Sequence, residues 1–245
     1  MGIELDNLDQ RVGTAVGHYW STLQRQAARQ QSGDSDRGGR AGVTGGKQMD
    51  GFSELVKAIL VENGMPRAHV YSDQKLELPG YFRPSKKWDM VVVYKGQLVA
   101  ALEFKSQAGP SFGNNFNNRS EEAIGTAQDL WTAHREGAFV VARRPFLGWV
   151  MLVEDCPKSR EAVAVAEPHF PVFPEFYGAS YGKRYELLLR RLARERLYDS
   201  AALVLATAEG GARGEYSEPA PDLTMRNLLA GLVGHTAGFI AGAQP

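Results

Sequence analysis

Two short apolar runs stand back to back near the middle of this 245-residue chain: Met90–Tyr94 (MVVVY) and residues 98–104 (LVAALEF), with Lys95, Gly96 and Gln97 between them. Runs rich in Val, Leu and Ala, broken by a Gly-containing turn, predict a β-hairpin. Three polar groups interrupt this apolar unit: Asp89 at its entrance, Glu103 and Lys105 at its exit. Side chains alternate faces along a strand, so Glu103 and Lys105 point one way while Leu102 and Phe104 point into a core. The register then decides what Asp89 meets. A three-residue turn sets Asp89 opposite Glu103, whereas an even-length turn sets it opposite Leu102 and sends the two carboxylates to different faces. The odd turn is expected here, and it brings two carboxylates and an ammonium to one end of a buried hairpin.

Buried carboxylates are costly unless they are paired or bind metal. A divalent cation resolves the repulsion between two of them, and Mg²⁺ takes a few carboxylate oxygens plus waters and substrate phosphate. Asp89 and Glu103 are the candidate metal ligands, with the Phe104 carbonyl a third. Lys105 is placed to orient or deprotonate a water that attacks phosphorus. The spacing D-x13-E-x-K is that of metal-dependent phosphodiester hydrolases of the PD-(D/E)xK type, with Trp88 where that pattern has its Pro. The same spacing also arises in ordinary surface hairpins carrying a Glu–Lys pair. The apolar flanks and the segment that follows separate the two readings.

That segment, residues 106–119 (SQAGPSFGNNFNNR), holds four Asn, two Gly, a Pro and two Phe. Asn and Gln amides make bidentate contacts to adenine in the major groove, and Arg or Lys to guanine. Gln107, Asn114, Asn115, Asn117, Asn118 and Arg119 are therefore candidate DNA-binding residues on a recognition loop. The other reading is a polar, turn-rich loop, because Asn and Gly serve turns for local backbone reasons.

The block WDMVVVYKGQLVAALEFKSQAGPSFGNNFNNRSEEAIG closely resembles the XhoI-type family of type II restriction endonucleases. The resemblance extends to QMDGF, LPGYFRPSKKWD, EPHFPVFPEF and SYGKRYELLLRRLARERLYD, which together span most of the chain. It implies a restriction-endonuclease-like PD-(D/E)xK α/β fold and Mg²⁺-dependent double-strand cleavage of DNA at a palindromic six-base target, CTCGAG. It further implies a homodimer and a cognate DNA methyltransferase that protects the same site in the host. Two rival readings remain: a nuclease of the same fold acting on structured DNA in repair or recombination, and a non-catalytic DNA-binding module with a vestigial hairpin.

A length of 245 residues suits one domain: a catalytic core over about 50–155 and a helical part over about 180–245. The single cysteine, Cys156, excludes an intramolecular disulfide and fits a reducing compartment. The N-terminal MGIELDNLDQ shows no basic and apolar regions of a secretory signal, and no run approaches the ~18 apolar residues of a membrane span. The expected location is the cytoplasm, with no membrane partner.

The 28 basic and 28 acidic residues balance, but they are unevenly spread. Residues 81–119 hold six cations (Arg83, Lys86, Lys87, Lys95, Lys105, Arg119) against Asp89 and Glu103. Residues 183–196 hold six more against Glu186 and Glu195. Such segments are expected to face phosphate. Arg83, Lys86 and Lys87, just before Asp89, are phosphate clamps or members of a solvated loop.

In chain order, Leu5, Leu8, Val12, Ala15, Tyr19 and Leu23 predict an amphipathic helix to about Gln30. His18 within it is given no role. Residues 32–47, with six Gly, read as a flexible linker or as an arm that orders on DNA. Asp50 is the expected N-cap of a helix to Asn63, with Gly64 as its stop. Glu54, opposite that helix's apolar face, reads as a solvated residue rather than a further ligand. Residues 70–78 predict a first strand. An N-x-x-E capping box at Asn118 and Glu121 predicts a helix from Ser120 to His134. Residues 138–142 and 149–153 predict further strands, residues 167–176 an irregular segment, and residues 185–196 a basic helix. An apolar segment follows at 201–208, and then a helix at 223–240 containing Gly234-x-x-x-Gly238. The resulting expectation is a mixed central sheet flanked by helices.

Overall fold

Apolar residues at three- and four-residue spacing make the N-terminal segment helical. In the computed structural model, which describes residues 2–31, 47–139 and 143–242, α1 spans Leu8–Gln31 and buries Leu8, Val12, Ala15, Val16, Tyr19 and Trp20. α2 follows at Asp50–Glu62. Asp50 opens its first turn, while Met49 holds the N-cap position without a side-chain cap, so the expected Asp50 cap does not form. Gly64 stops the helix at φ +96°, and the Met65 amide donates to the Leu60 carbonyl.

The strand expected over 70–78 divides into β1 (Val70–Tyr71) and β2 (Glu77–Pro79). The connection after it is partly ordered as β3 (Ser85–Lys87), which pairs with β2 in a separate two-stranded ribbon. The remaining elements are β4 (Met90–Tyr94), β5 (Gln97–Gln107), α3 (Phe112–Arg135), β6 (Phe146–Glu154), α4 (Pro157–Arg160), α5 (Tyr181–Arg194), β7 (Ser200–Ala206), α6 (Ala208–Ala212) and α7 (Met225–Gly242). The Gly-rich stretch 32–47 lies outside the described residues apart from Lys47. Of the strand expected at 138–142, residues 140–142 lie outside them, and 138 and 139 are not in a strand.

The hairpin of β4 and β5 reaches the expected register by an unexpected route. Its turn has two residues, Lys95 and Gly96, not three, and both have positive φ (48° and 74°), as a type I′ hairpin turn requires. Alone, that turn would set Asp89 opposite Leu102. A β-bulge intervenes: Val92 pairs with Ala100 but Val93 with Leu98, so Val99 is the extra residue. Beyond it Met90 pairs with Leu102, and the Phe104 amide donates to Asp89 Oδ2 at 2.8 Å. The odd residue is real, but it sits at position 99 rather than in the turn.

The main sheet runs β1-β4-β5-β6-β7, antiparallel through the hairpin and parallel from β5 onward. Alternation divides its side chains between two cores. Met90, Val92, Leu102, Phe104, Val150, Leu152 and Val204 pack with α1, α2 and α7. Val91, Ala101, Trp149, Met151 and Leu203 pack with α3 and α5 on the other face. The result is a mixed five-stranded α/β sheet between helical layers, a restriction-endonuclease-like arrangement. Residues 201–208, not assigned a type from sequence, supply the edge strand β7. No atom lies within 4 Å of where a Cβ would stand at Gly234 or Gly238, so that motif makes no close helix contact among the described residues. None of the described helices is long and apolar enough to cross a membrane.

Candidate active site

β5 is buried on both faces for most of its length, so its polar residues stand out. Glu103 is fully buried and faces the α3 side, in register with Trp149 of β6. Lys105, two residues on, shares that face. Its Nζ contacts Glu103 Oε2, lies 3.1 Å from Asp89 Oδ2, and lies 3.2 Å from Glu122 Oε1 on α3. Lys86 of the β2–β3 ribbon approaches Glu103 Oε1 at 2.7 Å. Two aromatic faces line the group: Lys105 Nζ is 5.9 Å from the Trp149 ring and Lys86 Nζ is 5.4 Å from Trp88.

Burial and charge pull in opposite directions here. Desolvation pushes the Glu103 carboxyl up to about 7, despite the nearby Lys105 and Lys86 ammoniums. Burial alone would lower the Lys105 pKa, but Glu103, Asp89 and Glu122 outweigh it and hold the amine above its ordinary value. Burial would likewise raise Glu122, but Lys105 and Arg119 hold it below the usual carboxylate range.

A divalent cation fits the donor set. Both Glu103 oxygens are buried without a well-formed hydrogen bond, and Asp89, 38% exposed in its side chain, opens the group to solvent. Among the described residues no group of three or more His, Cys, Asp or Glu is placed to hold a metal. A cation here would therefore rest on two carboxylates, a backbone carbonyl, and oxygens of water and phosphate, as Mg²⁺ prefers.

α3 corrects the loop expected at 106–119. β5 continues to Gln107, and the helix starts at Phe112, eight residues before Ser120. Asn118 and Glu121 lie inside it and form no capping box; Ser111 holds the N-cap position. Four Asn and a Gly disfavour a helix intrinsically. Packing overrides them: Phe112 is 1% exposed and stacks on Tyr181, and Phe116 meets Tyr185 edge-on. Asn114, Asn117 and Asn118 are exposed, at the i, i+3, i+4 spacing of one helix face, while Asn115 is half-buried. Gln107, the last residue of β5, is 2% exposed, and the Tyr185 hydroxyl donates to its side-chain carbonyl at 3.4 Å.

The cations expected to face phosphate are mostly paired within the chain. Arg83 binds Asp129 at 2.7 Å, Lys86 binds Glu103, and Arg119 binds Glu122 at 2.5 Å, while Lys87 is exposed. On α5, Lys183 and Arg190 pair with Glu186, Arg190 also with Asp222, and Arg191 with Glu175. Arg196 lies past the end of that helix at φ +56°. Glu54 is a solvated partner of Lys57, 3.9 Å away. Sequence reasoning passed over Glu122. The signal for it is an acid on the helix after the hairpin, three residues from Arg119, rather than on the helix before it. The Tyr198 hydroxyl, donating to the Ala123 carbonyl at 3.1 Å, fixes α3 at the residue next to Glu122.

A mixed sheet of this order, with Asp89, Glu103 and Lys105 converging at the end of its central hairpin, defines the restriction-endonuclease-like class of α/β proteins. Within that class, residues 28–218 match the family model for restriction endonuclease XhoI, and the chain belongs to that family. It is 50% identical over 212 residues to the type II restriction enzyme BstVI of Geobacillus stearothermophilus, covering 84% of this chain and 95% of that one. The type II restriction enzyme XhoI of Xanthomonas vasicola is 50% identical over 198 residues, 78% of each chain. AbrI of Azospirillum brasilense, also a type II restriction enzyme, is 52% identical over 172 residues, 69% of this chain and 77% of its own. No solved structure matches the chain.

Proposed function

We propose that the chain is a single-domain, Mg²⁺-dependent type II restriction endonuclease that cuts both strands of DNA within CTCGAG, after the first C, leaving four-base 5′ extensions with 5′-phosphate ends. The observation that carries this reading is the convergence of Asp89, Glu103 and Lys105 on one face of a buried hairpin. Family membership supports CTCGAG as the target, a cognate methyltransferase as the host's protection, and the cytoplasm as the place of action.

Mg²⁺ bound there would supply positive charge to the phosphate oxygens and to the attacking water. Asp89, Glu103 and the Phe104 carbonyl would hold it. The Phe104 amide already points to Asp89, so both backbone groups of that residue face the metal side. Lys105, kept charged by three carboxylates, holds the water oxygen in line with phosphorus and steadies charge on the phosphoryl group. Glu122 sets the Lys105 ammonium from above. Asn114, Asn117 and Asn118 read base edges from the first turns of α3, with Asn115 at their side. Gln107, at the end of β5 before the Asn segment, completes the DNA-binding set, and Arg119, Arg83, Lys86 and Lys87 contact phosphate.

One such centre per chain cuts one strand. Cutting both in one encounter needs a two-fold dimer, whose symmetry obliges the target to be palindromic. Digestion of a plasmid of known sequence with Mg²⁺ is expected to cut at CTCGAG alone. Sedimentation with a CTCGAG duplex, Ca²⁺ replacing Mg²⁺, is expected to give two chains per duplex. Cutting at another fixed sequence overturns the target, and one chain per duplex overturns the dimer.

The four Asn should differ in behaviour. Ala at a position bidentate to a base is expected to cost about 1–3 kcal/mol and to relax discrimination at one base pair, whereas Arg119→Ala weakens all sequences alike. Unchanged affinity and specificity across Asn114→Ala, Asn115→Ala, Asn117→Ala and Asn118→Ala would leave the helix face without a reading role.

A further inference from the structure

The β2–β3 ribbon ends in a turn whose construction the catalytic group does not explain. Tyr81 and Phe82 at its tip are 54% and 69% exposed, and their rings meet edge-on at 5.1 Å. Solvent-facing aromatic pairs of this size commonly mark contact surfaces. The backbone beneath them is held tightly. Asp129 of α3, 4% exposed, accepts from the Tyr81 amide at 2.7 Å, from the Phe82 amide at 2.8 Å, and from Arg83 Nε at 2.7 Å. Gly80 is part of the fit, since a Cβ there would stand 2.6 Å from Asp129 Oδ2. A buried carboxylate thus fixes two amides so that two rings stand in water, which orders the turn before any partner arrives.

The turn's position indicates the partner. Lys86, five residues after Tyr81, touches Glu103, and a surface cavity of about 340 Å³ runs from Phe82 and Arg83 to Glu122, the neighbour of Lys105. Along α3 come the exposed Asn face, then Glu122, then Asp129. At about 1.5 Å per residue, Asn118 and Asp129 are roughly 16 Å apart. That exceeds the ~12 Å width of the major groove, so the turn reaches past the edge of a groove that the Asn face would occupy. Lys87, exposed on β3, adds a cation near the turn, while Arg83 and Lys86 are held by Asp129 and Glu103.

We propose that Tyr81 and Phe82 form a wedge that enters the minor groove and unstacks a base step beside the scissile phosphate, Phe82 leading. The proposal rests on the nuclease reading above and adds to it a second DNA-contacting element, held farther along the same helix that carries the Asn face. Apolar side chains presented on ribbons or loops open base steps in this way, and the bend lets the duplex follow the protein surface. Because the ring interactions form as the DNA distorts, they act on the cutting step more than on first encounter.

The test uses the full chain and CTCGAG duplexes carrying 2-aminopurine, in turn, at the target adenine and at flanking positions. With Ca²⁺, wild type is expected to raise the fluorescence at one position beside the cut, and Phe82→Ala to abolish that rise. With Mg²⁺, the single-turnover rate of Phe82→Ala is expected to fall about tenfold to a hundredfold, the size of one aromatic–base stacking contact, with a smaller change in affinity. Phe82→Trp should restore both signals, and thermal melting should be unchanged because the ring is exposed. A Tyr81→Ala, Phe82→Ala protein that unstacks the base and cuts like wild type overturns the wedge and leaves the nuclease reading standing. Substitutions that instead reduce two chains per duplex to one, with base stacking unaltered, assign the rings to the subunit contact and also overturn it. A wild type that cuts no duplex overturns both readings together.

Discussion

Lys105→Met is expected to bind CTCGAG duplex with Ca²⁺ nearly as well as wild type and to cut it with Mg²⁺ at least about a thousandfold more slowly. The ammonium it removes is, among the described residues, the one group that contacts Asp89, Glu103 and Glu122 together. No neighbouring cation can replace it. Lys86 lies at the far oxygen of Glu103, and Arg119 lies on the other side of Glu122. Met preserves the buried stem, which Ala would not. Breaking a buried ion pair can cost about 3–5 kcal/mol, so the comparison needs circular dichroism spectra that match wild type. Single-turnover cleavage and Ca²⁺-supported binding, measured side by side, separate chemistry from recognition. Turnover within a fewfold of wild type would mean that the attacking water is positioned elsewhere.

The second large effect concerns stability, and it runs against activity. Glu103→Gln is expected to cut nothing detectable and yet to resist urea better than wild type at pH 8 without metal. Burial displaces the carboxyl from its ordinary 4.5 to about 7, so holding it ionised costs the native state roughly 3 kcal/mol. Below the ordinary value, native and unfolded chains both bind the proton and the cost is absent. It grows as pH rises from 4.5 to about 7 and is complete above that. The advantage of Glu103→Gln should therefore be full at pH 8 and small by pH 5. Saturating Mg²⁺ should stabilise wild type alone, by mass action on the ionised site. For the same reason, wild-type cutting at limiting Mg²⁺ should climb through pH 7. A Gln variant less stable than wild type at pH 8 would show that Lys86 and Lys105 more than compensate the burial.

The central hairpin was legible because period-two alternation and a Gly turn are local signals, and Leu102 and Phe104 face the α1, α2 and α7 core as that alternation requires. The alignment of Asp89 with Glu103 was legible only in outcome. An extra residue had to exist somewhere between them, but parity cannot say whether it sits at residues 95–97 or at Val99. The start of α3 was hidden by its own residues. Asn114, Asn115, Asn117 and Asn118 favour turns, and what makes them helical is Phe112 and Phe116 against Tyr181 and Tyr185, some seventy residues away. β7 was hidden for the opposite reason, since SAALVLA suits a buried strand and a buried helix alike. The partners of the basic residues were out of reach as well. Charge counted along the chain shows where cations cluster, and only the fold reveals that Glu186, Asp222 and Glu175 already answer those of α5.

The bulge at Val99 also separates two kinds of freedom in neighbouring stretches of chain. Everything on the catalytic side of it is aligned by the packing of Met90, Val92, Leu102 and Phe104, and none of that depends on how the strands are joined. The exposed tip at Lys95 and Gly96 can therefore lengthen over evolutionary time, or accept a grafted epitope, without moving a carboxylate. Loss of the single residue Val99 would erase the bulge and leave the same pairs, Val92 with Ala100 and Met90 with Leu102, because Val99 and Ala100 both face the core that Val92 faces.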